Sequence, residues 1–413
     1  MKKKIIIAVL LVLLFAVALL IVIKENRPEK TAEEPVAAET VAETAAVEAT
    51  EQAAEPEAEP VRVETIDYDA LYKAYAPDTV IGTIEGREVT WEEYYGWLSF
   101  DISQMQSTMD QYRMYYGVVY NWSDDIGLGD GRTYADAMTE SAEINLKDEY
   151  ALSMLLEETG RELSEENLAS IAEQKESDIE SCGCATEEEF RDYLQSIHIT
   201  DGVYEYFIVS PEYADIIKEE KYGSDGEKID QADIDNYIEE NGYMNVNHIL
   251  RLTMDMNTGE ELGEEEKAKK LSEAEDLLAE LKKIKDPEKL VARFRELKEE
   301  YCEDSGKVTN PDGYVFTKGT MVEEFETAAE QLDVYGLSEI VETTYGYHIL
   351  LRLPLDGDTV IEENDYVEPV TIKQNVADEL FDQMHTEKSD ALELMVEEGF
   401  KLNMTDYILV TEQ

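Results

Sequence analysis

Asn247-His248-Ile249-Leu250 and Thr343-Thr344-Tyr345-Gly346-Tyr347-His348-Ile349-Leu350 bracket the stretch from Val246 to Leu353. Each half carries a histidine followed by two aliphatic residues. Between them stand Asp304, in Tyr301-Cys302-Glu303-Asp304, and the run Thr317-Lys318-Gly319-Thr320-Met321-Val322-Glu323-Glu324-Phe325. The pattern predicts a strand at Val246–Leu252, a helix around Glu264–Lys283, a helix around Pro287–Tyr301, a loop, a short helix at Val322–Gln331 and a final strand at Tyr347–Leu353. Leu271, Ala274, Leu278 and Leu281 recur at helical spacing and form a core stripe. Pro287 suits the first position of a helix. A lone histidine in a strand is usually a satisfied core residue. Two with matching flanks, an Asp and a Met-x-x-x-Phe between them, in this order, point instead to a site.

This order of elements resembles a parvulin-type peptidyl-prolyl isomerase domain. The resemblance implies an α+β fold in which a four-stranded antiparallel sheet with packed helices occupies residues 242–356. It implies that His248 and His348 lie on neighbouring central strands and hydrogen-bond to each other, that Asp304 faces the substrate carbonyl, and that the Thr343 hydroxyl joins the histidines. Met321 and Phe325 match the wall of a proline pocket. The family's Gly-Gly-Asp-Leu-Gly-like turn is here Asn310-Pro311-Asp312-Gly313-Tyr314, so its apolar residue is missing at Gly313, and Tyr314 or Phe316 is expected to fill that wall. Cys302 reads as a packing substitution where the family often has Ser. The reaction is rotation about an X-Pro bond, with a barrier of ~18–20 kcal/mol. No bond breaks, so no cofactor and no metal is expected. Beyond Arg251 and Lys318 no basic cluster faces the site, which argues against selectivity for a phosphorylated residue before proline.

Thirty-five Lys and Arg stand against 96 Asp and Glu, a net charge of -61. Such a chain has no grip on nucleic acid phosphates or an anionic membrane surface, and self-repulsion favours a soluble monomer. At the N-terminus, Lys2-Lys3-Lys4 precedes an unbroken apolar run from Ile5 to Ile23. At 1.5 Å per residue its length is close to the ~30 Å hydrocarbon core. No small-x-small cleavage site follows the core. Residues 5–23 are therefore expected to be a transmembrane signal anchor, with residues 1–4 a cytoplasmic stub and the bulk of the chain extracytoplasmic. Residues 24–65, rich in Ala, Glu, Thr and Pro, read as a disordered acidic linker, because they cannot bury enough apolar surface to offset ordering. The folded part is expected to begin near Tyr68. The three cysteines, Cys182, Cys184 and Cys302, fit free or small buried thiols better than a disulfide framework or a zinc site.

Thr79–Ile84 and Arg87–Val89 read as short strands around a Glu85-Gly86 turn, and Thr90 with Glu93 forms a capping box. Residues 66–241 are mostly helical in pattern, with breaks at Gly127–Gly131 and at Cys182–Cys184. This opening resembles extracytoplasmic foldases of the PrsA and SurA kind. Tyr94, Tyr95, Tyr112, Tyr115, Tyr116 and Tyr120 are either core aromatics or a surface that holds unfolded chains. Residues 357–413 are expected to supply a long amphipathic helix marked by Ile372, Val376, Leu380, Met384, Leu392 and Met395, returning to the helical module, and a terminal strand at Tyr407–Val410. His198 and His385 read as structural or exposed. Taken together the sequence predicts a membrane-tethered isomerase and chaperone acting on unfolded or partly folded secreted polypeptides with X-Pro bonds. The alternative is a holdase whose isomerase domain is degenerate.

Overall fold

The computed structural model describes residues 62–412, apart from 257, 365 and 366. The proposed anchor at 5–23 and most of the acidic linker lie outside the described residues. Among the described residues no helix is long and apolar enough to cross a membrane. The chain divides into two units. One takes the residues up to Ile217 together with those from Met384; the other runs from Lys218 to Gln383.

The first unit opens with β1 (Arg62–Ile66), α1 (Tyr68–Tyr72), β2 (Val80–Ile84) and β3 (Arg87–Thr90). Glu85 and Gly86 both take positive φ in the β2–β3 turn, the conformation a two-residue hairpin favours. Thr90 then caps α2 (Trp91–Tyr116), and the Thr90 and Glu93 side chains each accept the other's backbone N–H, satisfying two otherwise orphaned donors. There follow α3 (Tyr134–Thr159), entered by a second such box at Thr133 and Asp136, α4 (Glu165–Cys182), α5 (Glu187–Ser196) and α6 (Asp201–Tyr222). Trp91, Leu98, Phe100, Ile102, Trp122 and Leu146 form the centre of its core.

The second unit takes the end of α6 from Lys218, then α7 (Gln231–Asn241), β4 (Met244–Leu252), α8 (Glu264–Leu281), α9 (Pro287–Tyr301), β5 (Tyr314–Phe316), α10 (Glu323–Glu330), β6 (Val341–Glu342) and β7 (Gly346–Leu353). A hairpin of β8 (Val360–Asn364) and β9 (Val367–Thr371) leads into α11 (Ile372–Ala391). The fold is mixed helix and sheet, and the expected four-stranded antiparallel sheet is present, in the order β5-β4-β7-β6. Period-two alternation splits the two central strands. Ile249, Ile349, Leu351 and Leu353 pack on Leu278 and Leu281 of α8 and on Phe294 and Leu297 of α9. Met244, Val246 and Leu350 meet Phe316, Phe325 and Ala329 in a separate cluster. That second cluster frames the site.

After α11 the chain rejoins the first unit. β10 (Met395–Val396) extends the β2–β3 sheet, and β11 (Ile408–Glu412) pairs with β1. Here the structure corrects several expectations. Regular structure is already present upstream of Tyr68, in β1 at Arg62–Ile66. Val63 and Ile66 are buried, and the Glu64 carboxylate, also buried, pairs with Arg62 and accepts the Ser123 N–H and hydroxyl at 2.8 and 2.9 Å. The C-terminal helix ends at Ala391, because Met395 is taken into strand pairing opposite Thr83. Cys182 and Cys184 are not free thiols but are joined as a disulfide, while Cys302 is free and buried. Gly183, in the left-handed conformation at the end of α4, turns the chain so that the two Cα atoms come within 5.5 Å. His198 stacks on Tyr68, and the His385 ring bonds to the Asp148 carbonyl at 2.9 Å; both are structural.

Candidate active site

The β4–β7 register sets Leu350 opposite His248 and His348 opposite Leu250. The two histidines therefore sit diagonally on one face of adjacent strands. Their rings meet edge to face at 5.4 Å, and no hydrogen bond joins them, in contrast to the mutual bond that the resemblance implied. The diagonal offset fixes this separation. Phe325 closes the triangle, 5.4 Å from His248 and 5.6 Å from His348, both edge-on.

His348 Nε2 lies 2.9 Å from the Thr343 hydroxyl, which also accepts the Tyr345 N–H at 3.1 Å. Burial, with His248 as a second cause, pushes the His348 imidazole down to about 3, so it is neutral at ordinary pH. His248 turns the other way. Its Nε2 stands 3.3 Å from Oδ2 of Asp304.

Asp304 is held from three sides. Besides His248, Oδ2 accepts the Tyr314 hydroxyl at 2.6 Å and Oδ1 accepts the Gly306 N–H at 3.0 Å. With His248 the largest cause, these partners keep the carboxyl well below the usual carboxylate range and outweigh its partial burial. Burial first, and then the Asp304 carboxylate, push the Tyr314 phenol up, so Tyr314 remains the donor. The Tyr314 ring stacks on His248 at 5.4 Å and 12°.

The apolar side is Phe316 and Phe325, 5.9 Å apart, with Met321 packed half-buried against them. The eight residues His248, Asp304, His348, Thr343, Met321, Phe325, Phe316 and Tyr314 thus come together in one cluster. Gly313, where an apolar residue was expected, has φ 114°, and a Cβ there would lie 3.0 Å from the Val246 carbonyl. The backbone of β4 passes too close for a side chain, and Tyr314, one residue on, occupies the site instead.

Two supporting residues escaped the sequence reading. The buried Glu326 carboxylate accepts the Gly319 N–H at 2.8 and 3.0 Å and the Met321 N–H at 2.7 Å. These bonds hold its carboxyl below the usual range and fix the loop that carries Met321. Lys298, buried on α9, donates to the Asn310 and Pro311 carbonyls at 2.6 and 3.3 Å and so pins the turn before Tyr314. Its signal was present: Lys298 falls four residues after Phe294, on the buried stripe.

Two strand-borne histidines, an ionised carboxylate on the loop that follows α9 and an apolar aromatic wall together define a class. Residues 248–353 match the family model described as the rotamase, PPIC-type PPIASE domain, and this segment is a parvulin-type domain. The chain is similar to foldase protein PrsA of Halalkalibacterium halodurans, 51% identical over 59 residues, which cover 14% of this chain and 18% of the relative. It is also similar to foldase protein PrsA 1 of Bacillus cereus, 43% identical over 70 residues, covering 17% and 24%. The matches thus span less than a quarter of the length of these relatives. The crystal structure of PrsA from Bacillus subtilis aligns over 65% of this chain and 91% of that chain, at 19% identity and a TM-score of 0.22, too low to bear on the fold.

Proposed function

We propose that this chain is a membrane-tethered, extracytoplasmic peptidyl-prolyl cis-trans isomerase and chaperone that acts on X-Pro bonds of unfolded secreted polypeptides. The observation that carries the reading is the Asp304 carboxylate, kept ionised by His248, Tyr314 and Gly306, beside the wall of Met321, Phe325 and Phe316. The wall would hold the proline ring. The carboxylate would face the carbonyl of the preceding residue. In a planar amide, resonance places negative charge on that oxygen; in the twisted transition state the charge is withdrawn. A fixed anion there destabilises the planar form more than the twisted one, which is differential binding in favour of the transition state. His248, and His348 behind it with Thr343, orient the floor of the site. The similarity to foldases over part of the chain supports a folding role, with the first unit serving as the chaperone module.

The test separates catalysis from holding. The chain should accelerate the refolding of a protein limited by a prolyl isomerisation, and Asp304→Ala should lose that acceleration while still suppressing aggregation of an unfolded client. Full acceleration by Asp304→Ala would overturn the assignment. The tether is tested by mass spectrometry of the N-terminus from membranes: Met1 retained supports an anchor, and a mature chain starting beyond Ala18 refutes it. Protease added from outside should cut before Arg62 and release the rest.

A further inference from the structure

The tyrosine-rich stretch of the first unit divides sharply. Tyr94 and Tyr95 are core residues, but the last turn of α2 and the loop after it leave Tyr112, Met114, Tyr115, Tyr116, Val118 and Tyr120 exposed, the middle three of these at 75%, 72% and 73% for Met114, Tyr115 and Tyr116. Soluble proteins seldom leave so many large apolar side chains together in water. The rings are ordered against one another. Tyr112 lies 5.5 Å from Tyr116, tilted at 45°, and 5.6 Å from Tyr120, edge to face, and Tyr120 meets Tyr134 edge to face at 5.9 Å, so the rings form one connected row that presents both faces and edges.

The charges around the row are mostly negative. Between residues 110 and 140 the sequence carries Asp110, Asp124, Asp125, Asp130, Asp136 and Glu140 against Arg113 and Arg132 alone. Both cations are already engaged, Arg113 with Asp110 and Arg132 with Asp130 and Glu140. Asp124 stands close enough to the row to help raise the Tyr134 phenol, behind burial and Tyr120 as causes. A π face rimmed by surplus carboxylate attracts cations: ammonium and guanidinium groups gain about 0.5–1 kcal/mol each over an exposed aromatic ring. The same surplus, on a chain of net charge -61, repels a second copy and an anionic lipid surface.

We propose that the Tyr112–Tyr120 surface is a docking site for extended, Lys- and Arg-rich segments of unfolded polypeptide. It deepens the foldase reading by naming the client chemistry, and rests on that reading only for the client being an unfolded chain. Aromatic faces take the aliphatic stems and cationic heads of such side chains, and the carboxylates set the sign.

The test uses the full chain in detergent micelles and two fluorescein-labelled, proline-free peptides of 15 residues, identical except for Lys or Glu at alternate positions. Lacking proline, they bypass the isomerase site, so failure here is separable from failure of the isomerase assay. The Lys peptide should bind at least tenfold more tightly than the Glu peptide, and its binding should weaken as salt rises. The triple variant Met114→Ser/Tyr115→Ser/Tyr116→Ser, all exposed positions, should bind the Lys peptide at least tenfold more weakly, with its melting temperature and isomerisation of a small proline peptide unchanged. Equal binding of the two peptides, or full retention of binding by the triple variant, would overturn the proposal. So would concentration-dependent self-association that the triple variant abolishes, which would make a second copy the occupant.

Discussion

Tyr314→Phe removes one oxygen from the site and leaves the ring stacked on His248. The lost contact is a 2.6 Å hydrogen bond to an ionised, partly buried carboxylate. Bonds of this kind contribute about 1.5–3 kcal/mol. Only the part of that energy realised more strongly in the transition state than in the free enzyme enters kcat/KM, so at neutral pH kcat/KM should fall by up to about ten- to a hundredfold, since about 1.4 kcal/mol is a factor of ten. The sign of the pH effect follows from the same contact. The folded state holds the Asp304 carboxyl below its ordinary value, so Asp304 contributes stability above about pH 4, and that stability is lost as pH falls through the lower folded value. The variant should therefore be less stable than the parent in urea at pH 7, and the gap should narrow below about pH 4. The acid limb of its isomerisation profile should move upward. Gly306→Ala offers an independent route, because its new Cβ would lie 2.0 Å from the Tyr314 hydroxyl and must displace it. Both variants should shift the acid limb in the same direction. If Tyr314→Phe leaves the acid limb and the urea midpoint unchanged, Tyr314 does not hold Asp304, and the account of the carboxylate fails.

Three further outcomes follow from the same site. His348 is held neutral down to about pH 3 in the folded state, whereas the unfolded chain takes up a proton near its ordinary value; stability should fall below about pH 6.5 by up to about 1.4 kcal/mol per pH unit, and His348→Asn should flatten that slope in urea melts between pH 7 and 5. Glu326→Ala frees the amides of Gly319 and Met321, so KM for a proline peptide should rise by about three- to tenfold with a smaller change in kcat, the cost of a loosened wall; an unchanged KM would show that Met321 needs no such support. Gly313→Ala places a side chain at φ 114° against the Val246 carbonyl and should cost about 1–3 kcal/mol in chemical denaturation.

The strands and helices around the chemistry-bearing residues were legible in the sequence because strand and helix periods are local. That His248 and His348 lie on neighbouring strands was implied by the resemblance, and β4 and β7 do pair along their length. The Thr90 box and the Glu85-Gly86 turn were readable for the same reason. Long-range pairing outside that domain was not. Arg62–Ile66 looks like the end of a linker until Ile408–Glu412 lies beside it, since a strand's worth depends on its partner. Glu326 reads as one more surface acid on a very acidic helix; only the folded loop brings two N–H groups to it. The tyrosine spacing gave no hint of where burial along α2 stops, because the partners that cover its first half come from other elements. An odd count of three cysteines argued against a disulfide framework, whereas Gly183 supplies the turn that lets Cys182 and Cys184 pair and leaves Cys302 free.

The central claim is that this cluster rotates X-Pro bonds, and magnetisation-exchange NMR on a small Ala-Pro peptide tests it most directly because no protease or client is needed. Catalytic amounts of the chain should bring cis-trans exchange from the uncatalysed scale of tens to hundreds of seconds into the range the method detects. Met321→Ala, at a half-buried position that the fold tolerates, should reduce the exchange severalfold, and Asp304→Ala should abolish it. Exchange no faster with the chain than without it, or undiminished in Asp304→Ala, would contradict the account.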